Sequence, residues 1–312
     1  LAMFPAHGDT PEVLLKNVDL AMYRAKERGR NTFDFFTDEL NDQVVHRLMV
    51  ATGLRRALAS DGIEVFYQPK IMEPGRRITG AEALVRWRRE DGTLVQPDEF
   101  ISVAEDTGLI MPLSDIVLRT ACTQAQAWRQ AGRKNFTLAV NLSPRQFQHP
   151  DLAARIRAIV EETGLPADAL EFEITESTLM NNQPETMETL KALVGMGAAI
   201  VLDDFGKEYS SLGYIKKMPV QAIKIDRSFV SDLPNDEDDA AIVQSILTMA
   251  RSLELRVVAE GVETAGQLWF LTNLGCREFQ GYYFSPPMPT EEMTRLLLSP
   301  DPFARLDATP QA

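Results

Sequence analysis

The sequence predicts an α/β fold of the (β/α)8, TIM-barrel type with an irregular, antiparallel first strand. From about residue 64 onward, short apolar runs rich in β-branched and aromatic residues alternate with longer segments of helical periodicity. About eight such runs occur over roughly 240 residues, which matches the strand count and length of a TIM-type barrel. Several runs are continuously apolar, as is typical of parallel strands that are covered on both faces.

Each strand candidate is a short run that ends near a polar or turn-forming residue. Only MEPGRR (72–77) separates the first two candidates, which is too short for a helical crossover, so we expect these strands to pair antiparallel. In chain order, the candidates cover residues 64–70, 78–87, 136–143, 170–177, 198–205, 221–226, 255–261 and 277–284.

Helical patterns fill the intervals between most of these strands. The predicted helices cover residues 114–132, 150–164, 183–197, 236–253 and 264–275. Several of them finish in glycine, a usual C-terminal stop signal. A doubly wound open sheet is the structural alternative. It is disfavoured because no G-x-G-x-x-G turn follows an early strand.

The first 40 residues predict a separate piece that is too small to bury a core of its own. It contains a helix over 10–30 and a short strand over 31–36, and an amphipathic helix over 44–60 then enters the barrel. We expect the barrel domain to cover 41–300 and a disordered tail to cover 301–312. Because the chain starts with Leu1, we also expect it to begin inside a longer protein.

Charge and hydropathy exclude several classes of protein. A net charge of -13 argues against a binder of DNA or RNA polymers, which needs a basic face. No apolar run approaches the roughly 20 residues that span a bilayer, so we expect no membrane contact from this segment. We expect a cytoplasmic location, either for the whole protein or for this part of a larger, membrane-anchored one.

The cysteines and histidines do not predict a metal site. Cys122 and Cys276 fall in apolar segments, which is typical of small buried hydrophobes in a reducing compartment. His7, His46 and His149 share no metal-ligand spacing, so a zinc site is not expected.

Carboxylate and amide side chains recur near the ends of the predicted strands. They are Glu82, Asn141, Glu173, Glu176, Asp203, Asp204, Asp226, Glu260 and Gln280, with Lys224 among them. Barrel enzymes place catalytic groups at the carboxyl ends of their strands, so we expect most of these side chains to meet in one bowl. Each alone has a plainer interpretation, such as a turn or helix cap for an aspartate.

Clustered carboxylates cannot all be ionised in a dry site unless positive charge compensates them. Two divalent cations about 3.5–4 Å apart are the simplest compensation, and they would stabilise the attacking and leaving oxygens of an in-line displacement. Hard oxygen ligands favour Mg²⁺ or Mn²⁺. Lys224 would orient the attacking water or offset charge on phosphate, and Glu260 would be a further ligand or a proton acceptor. Metal-assisted hydrolysis is therefore the favoured reaction class.

EALVRW (82–87) resembles the signature of EAL-domain proteins, the cyclic di-GMP phosphodiesterases. The resemblance covers roughly residues 45 to 300, and its motifs stand in the family's order and spacing. The further motifs are YQPK (67–70), VNLSPRQF (140–147), EITES (173–177), DDFG (203–206), YSSLGYI (209–215), KIDRSFV (224–230), VVAEGVET (257–264) and QGYYFSPPMP (280–289).

The resemblance implies a role for each matched residue. It implies that a first metal is held by Glu82, Asn141, Glu173 and Asp203, and a second by Asp203, Asp204 and Glu260. It assigns Lys224 to the hydrolytic water, with Glu82 and Glu260 as further catalytic residues. The residues implied to bind the dinucleotide are Gln68, Leu84, Arg86 and Gln280. Those implied to support the loop or the ligands are Glu176, Asp226 and Glu263.

The front segment VDLAMYRAKERGRN (18–31) is similar to the last helix and turn of a GGDEF domain. The GGDEF signature itself is absent, so no cyclase activity is expected from this piece. The resemblance implies a parent protein with upstream GGDEF and sensor domains.

One departure from the family lies just after DDFG, where Lys207-Glu208 replaces the usual Thr-Gly. If the lost glycine has positive φ, Glu208 costs roughly 1–2 kcal/mol or remodels the turn. The family also implies a homodimer through the helices that flank the 203–215 loop. The leading hypothesis is hydrolysis of cyclic di-GMP to linear pGpG, and the alternative is a catalytically weak or silent receptor. A purely structural dimerisation module has little support.

Overall fold

The computed structural model describes residues 1–27, 31–180, 184–207 and 215–307, and a single sheet of nine strands lies at its centre. The strands are β1 (Ile63–Met72), β2 (Arg77–Arg88), β3 (Leu94–Val95), β4 (Thr137–Asn141), β5 (Leu170–Thr175), β6 (Ala199–Phe205), β7 (Ala222–Ile225), β8 (Arg256–Ala259) and β9 (Glu278–Phe279).

Eleven α-helices lie within the described ranges of the chain. They are α1 (Pro11–Glu27), α2 (Asp38–Leu58), α3 (Pro97–Asp106), α4 (Ile110–Gln130), α5 (Leu152–Thr163), α6 (Glu176–Met180), α7 (Pro184–Gly195), α8 (Glu237–Ser252), α9 (Ala265–Asn273), α10 (Thr290–Leu298) and α11 (Ala304–Asp307). None of these helices is long and apolar enough to cross a membrane.

Eight of the nine strands close into a ring. The neighbours run β1-β9-β8-β7-β6-β5-β4-β2, and the pairing of β1 with β2 closes the barrel. β1 is antiparallel to both of its neighbours, whereas the ring strands from β2 to β9 pair in parallel. The predicted TIM-type barrel with an antiparallel first strand is confirmed, and the open-sheet alternative is excluded. β3 lies outside the ring, on β2.

Strand β5 shows how the sequence separates the two faces of the barrel wall. Phe172 and Ile174 alternate with Glu171 and Glu173, and all four side chains are buried. Successive side chains of a strand point to opposite faces. The two glutamates contact a lysine on β1, a strand that is not a neighbour of β5. The acidic face therefore looks into the barrel, and the apolar face packs outward against the helices.

The structure departs from the predicted elements at both ends of the chain. A strand over residues 31–36 was expected, and this prediction is wrong, because no strand is assigned there. Instead the N–H of Phe36 donates to the carbonyl of Leu1 at 2.8 Å, and the Phe36 side chain is buried beside Ala21 and Leu40. Within the predicted tail 301–312, Phe303 is buried and Ala304–Asp307 is helical.

Candidate active site

The buried ammonium of Lys224, on β7, is the centre of an acidic cluster at the mouth of the barrel. Its Nζ lies 2.5 Å from Oε1 of Glu260, 2.7 Å from Oε2 of Glu173, 3.2 Å from Oε2 of Glu82 and 3.5 Å from Oδ1 of Asp203. These carboxylates come from four different strands or strand ends. The structure therefore brings together four of the predicted acidic residues and the predicted lysine.

The positions of these residues along their strands are less uniform than the sequence predicted. Asn141 is the last residue of β4, and Glu260 directly follows β8. Glu82, in contrast, lies in the middle of β2, which continues to Arg88. It pairs there with Gln68 of β1. The expected location of Glu82 at a strand end is therefore wrong. β2 is the longest strand of the sheet, so its middle residue reaches the same level as the ends of shorter strands.

Asp203 and Asp204 reach different partners because a β-bulge lies between them and β7. Leu202 pairs with Ile223 and Phe205 pairs with Ile225, so two aspartates stand opposite the single residue Lys224. Asp204 has a positive φ of 56°, in the left-handed region that bulges use. A regular strand would send neighbouring side chains to opposite faces. The bulge instead lets Asp203 face Lys224 while Asp204 stays at the rim.

Asp204 forms an ion pair with the residue at which the sequence departs from the family pattern. Nζ of Lys207 lies 2.8 Å from Oδ1 of Asp204 and 2.9 Å from Oδ2 of Asp226. Asp226 is further fixed because its Oδ1 accepts from the N–H of Ser228 at 2.9 Å and from its hydroxyl at 2.5 Å. Glu208, the second departing residue, lies outside the described residues.

A chain of amides connects Glu82 to its surroundings. Nδ2 of Asn141 donates to Oε1 of Glu82 at 2.7 Å, and Nε2 of Gln280 donates to Oε2 of Glu82 at 2.7 Å. The same Nε2 lies 2.9 Å from Oε1 of Gln68, whose Nε2 donates to the carbonyl of Ser285. Oε1 of Gln280 is buried and has no hydrogen-bond partner within the part of the chain that the structure describes. It is a buried acceptor that a ligand donor would satisfy.

Arg86 and Leu84 lie further along β2 from Glu82. The guanidinium of Arg86 stacks on Phe66 with 5.5 Å to the ring centroid, and its Nη1 donates to the carbonyl of Val85. Leu84 is half-buried and pairs with Phe66 on β1. The pKa of Arg86 is lowered by burial, while Tyr282, Glu82 and Asp98 oppose that shift.

The remaining predicted residues fall into two groups. Glu176 is buried, and its Oε2 accepts from the N–H of Gly206 at 3.4 Å, in the turn after the aspartate pair. Gly206 has a φ of 104°, and a Cβ there would come within 2.9 Å of Phe229. Glu263 is exposed, and its backbone N–H donates to Gln267 at 2.7 Å. Glu263 therefore does not join the buried charges of the cluster.

Burial and mutual repulsion set the protonation of the cluster. Burial raises the pKa of Glu260 to about 8, and the charges of Asp203, Glu82 and Glu173 add to this shift although Lys224 opposes it. Burial works against the charged form of Lys224, but its four carboxylate neighbours hold its pKa well above the usual value. Lys224 is therefore a cation at any physiological pH, and the cluster still carries an excess of negative charge.

A second, deeper layer of charge lies below this cluster. Nζ of the buried Lys70 lies 2.8 Å from Oε2 of Glu171 and 3.0 Å from Oε1 of Glu173. Arg256 pairs with two glutamates: its Nη2 lies 2.6 Å from Oε1 of Glu171, and its Nη1 lies 3.1 Å from Oε2 of Glu278. Glu173 thus connects Lys70 in the barrel interior to Lys224 at the mouth.

The sequence reasoning missed Lys70, Glu171 and Arg256. The signal was present in the period of two: Lys70 lies two residues after Gln68, and Glu171 two residues before Glu173. Residues two apart on a strand share a face. Lys70 and Glu171 therefore each lie on the same face as a residue that was predicted, whereas this period gave no such signal for Arg256.

The deeper layer predicts an acid-sensitive component of stability. Burial would raise the pKa of Glu171, but Lys70 and Arg256 outweigh it and lower this pKa to about 2. Because the folded pKa lies below 4.5, the stabilisation is complete above pH 4.5 and is lost as the pH falls towards 2. Glu171→Gln lacks this component. Its deficit in unfolding free energy relative to wild type should therefore shrink by about 2 kcal/mol between pH 5 and pH 3.

Urea unfolding at a series of pH values measures this difference. Glu162→Gln is the matched control, since Glu162 forms an exposed ion pair with Arg119. An equal deficit of the Glu171→Gln variant at both pH values would contradict the prediction.

The donor chemistry of the cluster fits divalent cations. The side chains around Lys224 offer hard oxygen atoms, and the raised pKa of Glu260 marks negative charge that Lys224 does not neutralise. Within the described ranges, no group of three or more His, Cys, Asp or Glu side chains has ready-made metal geometry. In this structure the carboxylates instead converge on the ammonium of Lys224, so cation binding requires some of them to reorient.

A family model and several known proteins match most of the chain. The family model described as "EAL domain" matches residues 51–287. MucR of Pseudomonas aeruginosa, named a bifunctional diguanylate cyclase/cyclic di-GMP phosphodiesterase, is 41% identical over 94% of this chain and 43% of its own length. The cyclic di-GMP phosphodiesterase PdeR of Escherichia coli is 38% identical over 95% of this chain and 44% of its own length. The chain thus spans less than half the length of these curated relatives.

Two of the solved structures with this fold contain c-di-GMP. The phosphodiesterase of PaMucR in complex with c-di-GMP has a TM-score of 0.76 and 42% identity, and the match covers 78% of this chain and 99% of that one. The FimX EAL domain from Pseudomonas aeruginosa bound to c-di-GMP has a TM-score of 0.70 and 25% identity, over 77% of this chain and 96% of that one.

Proposed function

The chain belongs to the EAL domain family, and we propose that it is a metal-dependent phosphodiesterase that hydrolyses cyclic di-GMP to linear pGpG. The observation that carries this proposal is the convergence of four strand-borne carboxylates on one buried lysine at the barrel mouth. The names of two relatives that are 41% and 38% identical to the chain over the aligned residues support the substrate.

The proposed ligands divide the cluster between two ions, Mg²⁺ or Mn²⁺. Glu82, Asn141, Glu173 and Asp203 would hold the first ion. Asp203, Asp204 and Glu260 would hold the second, with Asp203 shared. Bound divalent cations lower the pKa of water and stabilise the attacking and leaving oxygens of phosphoryl transfer.

The chain's own side chains supply the remaining chemistry. Lys224 stays protonated, so it donates hydrogen bonds to the attacking water or to a phosphate oxygen and does not act as a base. Glu260, whose pKa lies near 8, is protonated at neutral pH in the protein alone. A bound cation would favour the ionised form of Glu260, and that carboxylate would then serve as a cation ligand or accept the proton that water releases. Glu82 would hold the first ion and is itself held by Asn141 and Gln280.

The dinucleotide would be held along β1, β2 and the end of β9. Oε1 of Gln280 is a buried acceptor that a guanine N–H would satisfy, and Gln68 lies beside it. Arg86 offers a planar fork of donors that suits a phosphate. Leu84, between Glu82 and Arg86, would give the ligand an apolar contact.

Turnover of cyclic di-GMP tests this function. The purified chain should convert cyclic di-GMP to pGpG with Mg²⁺ or Mn²⁺, as followed by chromatography, and chelation should stop the reaction. Glu82→Ala should be inactive because it removes a proposed ligand and the acceptor for Asn141 and Gln280. If wild type forms no more pGpG than this variant, the proposed activity is wrong.

A catalytically weak receptor is the second candidate, and the ion pair between Lys207 and Asp204 is the observation that favours it. An ammonium on a proposed ligand would weaken metal binding without blocking the nucleotide. Metal-independent binding of cyclic di-GMP without turnover would support the receptor.

The organisation of the whole protein is also a proposal. We expect the barrel domain of residues 41–300 to follow upstream GGDEF and sensor domains, because the relatives are more than twice as long as the chain. We also expect a homodimer through the helices that flank the 203–215 loop. Light scattering measures the mass, and a fully active monomer would contradict this expectation.

A further inference from the structure

Lys207 lies where a cation would compete with a metal ion for Asp204. We propose that Lys207 acts as a tethered competitor for the second metal position, so that this position binds its ion more weakly than the first. This inference rests on the proposed function, since it assumes that Asp204 is a metal ligand. Lys207 departs from the family pattern, and the competition is therefore a property of this chain.

The local backbone creates the competing contact. Asp204 has a φ of 56°, and the N–H of Lys207 donates to the carbonyl of Asp204 at 3.4 Å. This turn places the two side chains three residues apart on the same side, and their charged atoms lie 2.8 Å from each other. A threonine at this position has neither the length nor the charge to form that contact.

The second partner of Lys207 allows the ammonium to leave Asp204 without leaving the rim. The side chain of Asp226 is only 5% exposed and is fixed by Ser228. The Asp204 side chain is 40% exposed, and that of Lys207 is 48% exposed. Lys207 can therefore remain paired with Asp226 while Asp204 turns to a metal ion.

The competition is expected to be partial, because solvent weakens the ion pair between Lys207 and Asp204. Ion pairs at exposed positions contribute little, so a divalent cation can displace Lys207 from Asp204. The ammonium then remains near the bound ion and repels it, although solvent reduces that repulsion. The proposed carboxylate ligands of the first position pair with Lys224 and not with Lys207. Lys207 should therefore lower the affinity of the second position and leave that of the first unchanged.

Direct measurement of Mn²⁺ binding tests the proposal independently of catalysis. The full chain is titrated with Mn²⁺, and free Mn²⁺ is followed by its electron paramagnetic resonance signal. Wild type should show one tighter and one weaker site. Lys207→Thr should tighten the weaker site by roughly three- to tenfold with the tighter site unchanged, while Lys207→Arg should stay close to wild type because it keeps the charge.

Lys217→Thr is the matched control. Lys217 is an exposed lysine ten residues further along the chain, and its removal changes the net charge by the same amount. If Lys207→Thr and Lys217→Thr have the same weaker-site affinity, local competition is refuted while the metal-dependent function stands. A single Mn²⁺ in wild type and in Lys207→Thr would also overturn it. If no variant binds Mn²⁺, the proposed metal chemistry itself fails together with this inference.

Discussion

Lys224→Met is expected to slow the hydrolysis of cyclic di-GMP severely and to lower the stability of the metal-free protein by about 3 kcal/mol. Lys224 is the cation that four carboxylates share in the absence of metal. Methionine fills a similar volume but carries no charge. Glu82, Glu173 and Asp203 would then have to take up protons or repel one another, and Glu260 would stay protonated. Activity should fall by about a thousandfold, because the group that faces the attacking water or phosphate is lost.

Adding Mg²⁺ distinguishes the loss of stability in Lys224→Met from its loss of activity. Divalent cations would compensate the same carboxylates, so the stability difference from wild type should shrink as Mg²⁺ is added. The loss of activity should remain. Urea unfolding with and without Mg²⁺, together with the pGpG assay, measures the two effects. Lys191→Met, at an exposed helical position, is the control for removing a lysine.

A stability deficit that Mg²⁺ leaves unchanged would contradict this account of Lys224. It would mean that the carboxylates around the lysine are not accessible to a divalent ion. Full turnover by the variant would show that hydrolysis does not require Lys224.

The sequence was sufficient to predict the architecture because the barrel depends on patterns that are local. Eight apolar runs and the short 72–77 connection predict the strand number and the antiparallel start, and the structure confirms both. The predicted strand over 31–36 failed because Phe36 packs into a small cluster with α1 and α2, while Phe33 and Phe35 are exposed. A β-rich composition alone does not supply a pairing partner.

The candidate site was predictable in composition and only partly in geometry. The acidic residues around Lys224 follow from strand ends and motifs. The bulge at Asp203 and Asp204 does not, since it depends on the register of β6 against β7. The pairing of Lys207 with two aspartates likewise depends on the turn that follows the bulge. Such features arise from tertiary contacts that no local pattern encodes.

The buried charges of the barrel form two levels, one around Lys224 and a deeper one around Lys70, and we assign them different roles. The upper level around Lys224 is near the mouth, and its excess negative charge suits added cations. The lower level holds Lys70 between Glu171 and Glu173, and the half-exposed Arg256 pairs with Glu171 and Glu278, so each carboxylate of this level has a cationic partner. We therefore interpret the lower level as a support that orients Glu173 from below.

Lys70→Met tests that support, and we expect a loss of about 3–5 kcal/mol of unfolding free energy that Mg²⁺ does not restore. The side chain of Lys70 is 2% exposed, and those of its partners Glu171 and Glu173 are 5% and 0% exposed, so these carboxylates have little access to water. Glu171 would keep Arg256, and Glu173 would keep Lys224, so the fold should survive in weakened form. Turnover should fall as well, because Glu173 would lose the partner that fixes its Oε1.

A double-mutant cycle with Glu171→Gln distinguishes this specific pairing from general damage to the core. Glutamine removes the charge that Lys70 compensates, so the double variant should be about 1–3 kcal/mol more stable than the sum of the single effects predicts. Urea unfolding of the four proteins with and without Mg²⁺ gives the coupling. The two charge levels are not separate if the losses of stability in the single variants simply add. The same holds if Mg²⁺ restores the stability of Lys70→Met as it is expected to restore that of Lys224→Met. The lower level would then belong to the metal site itself.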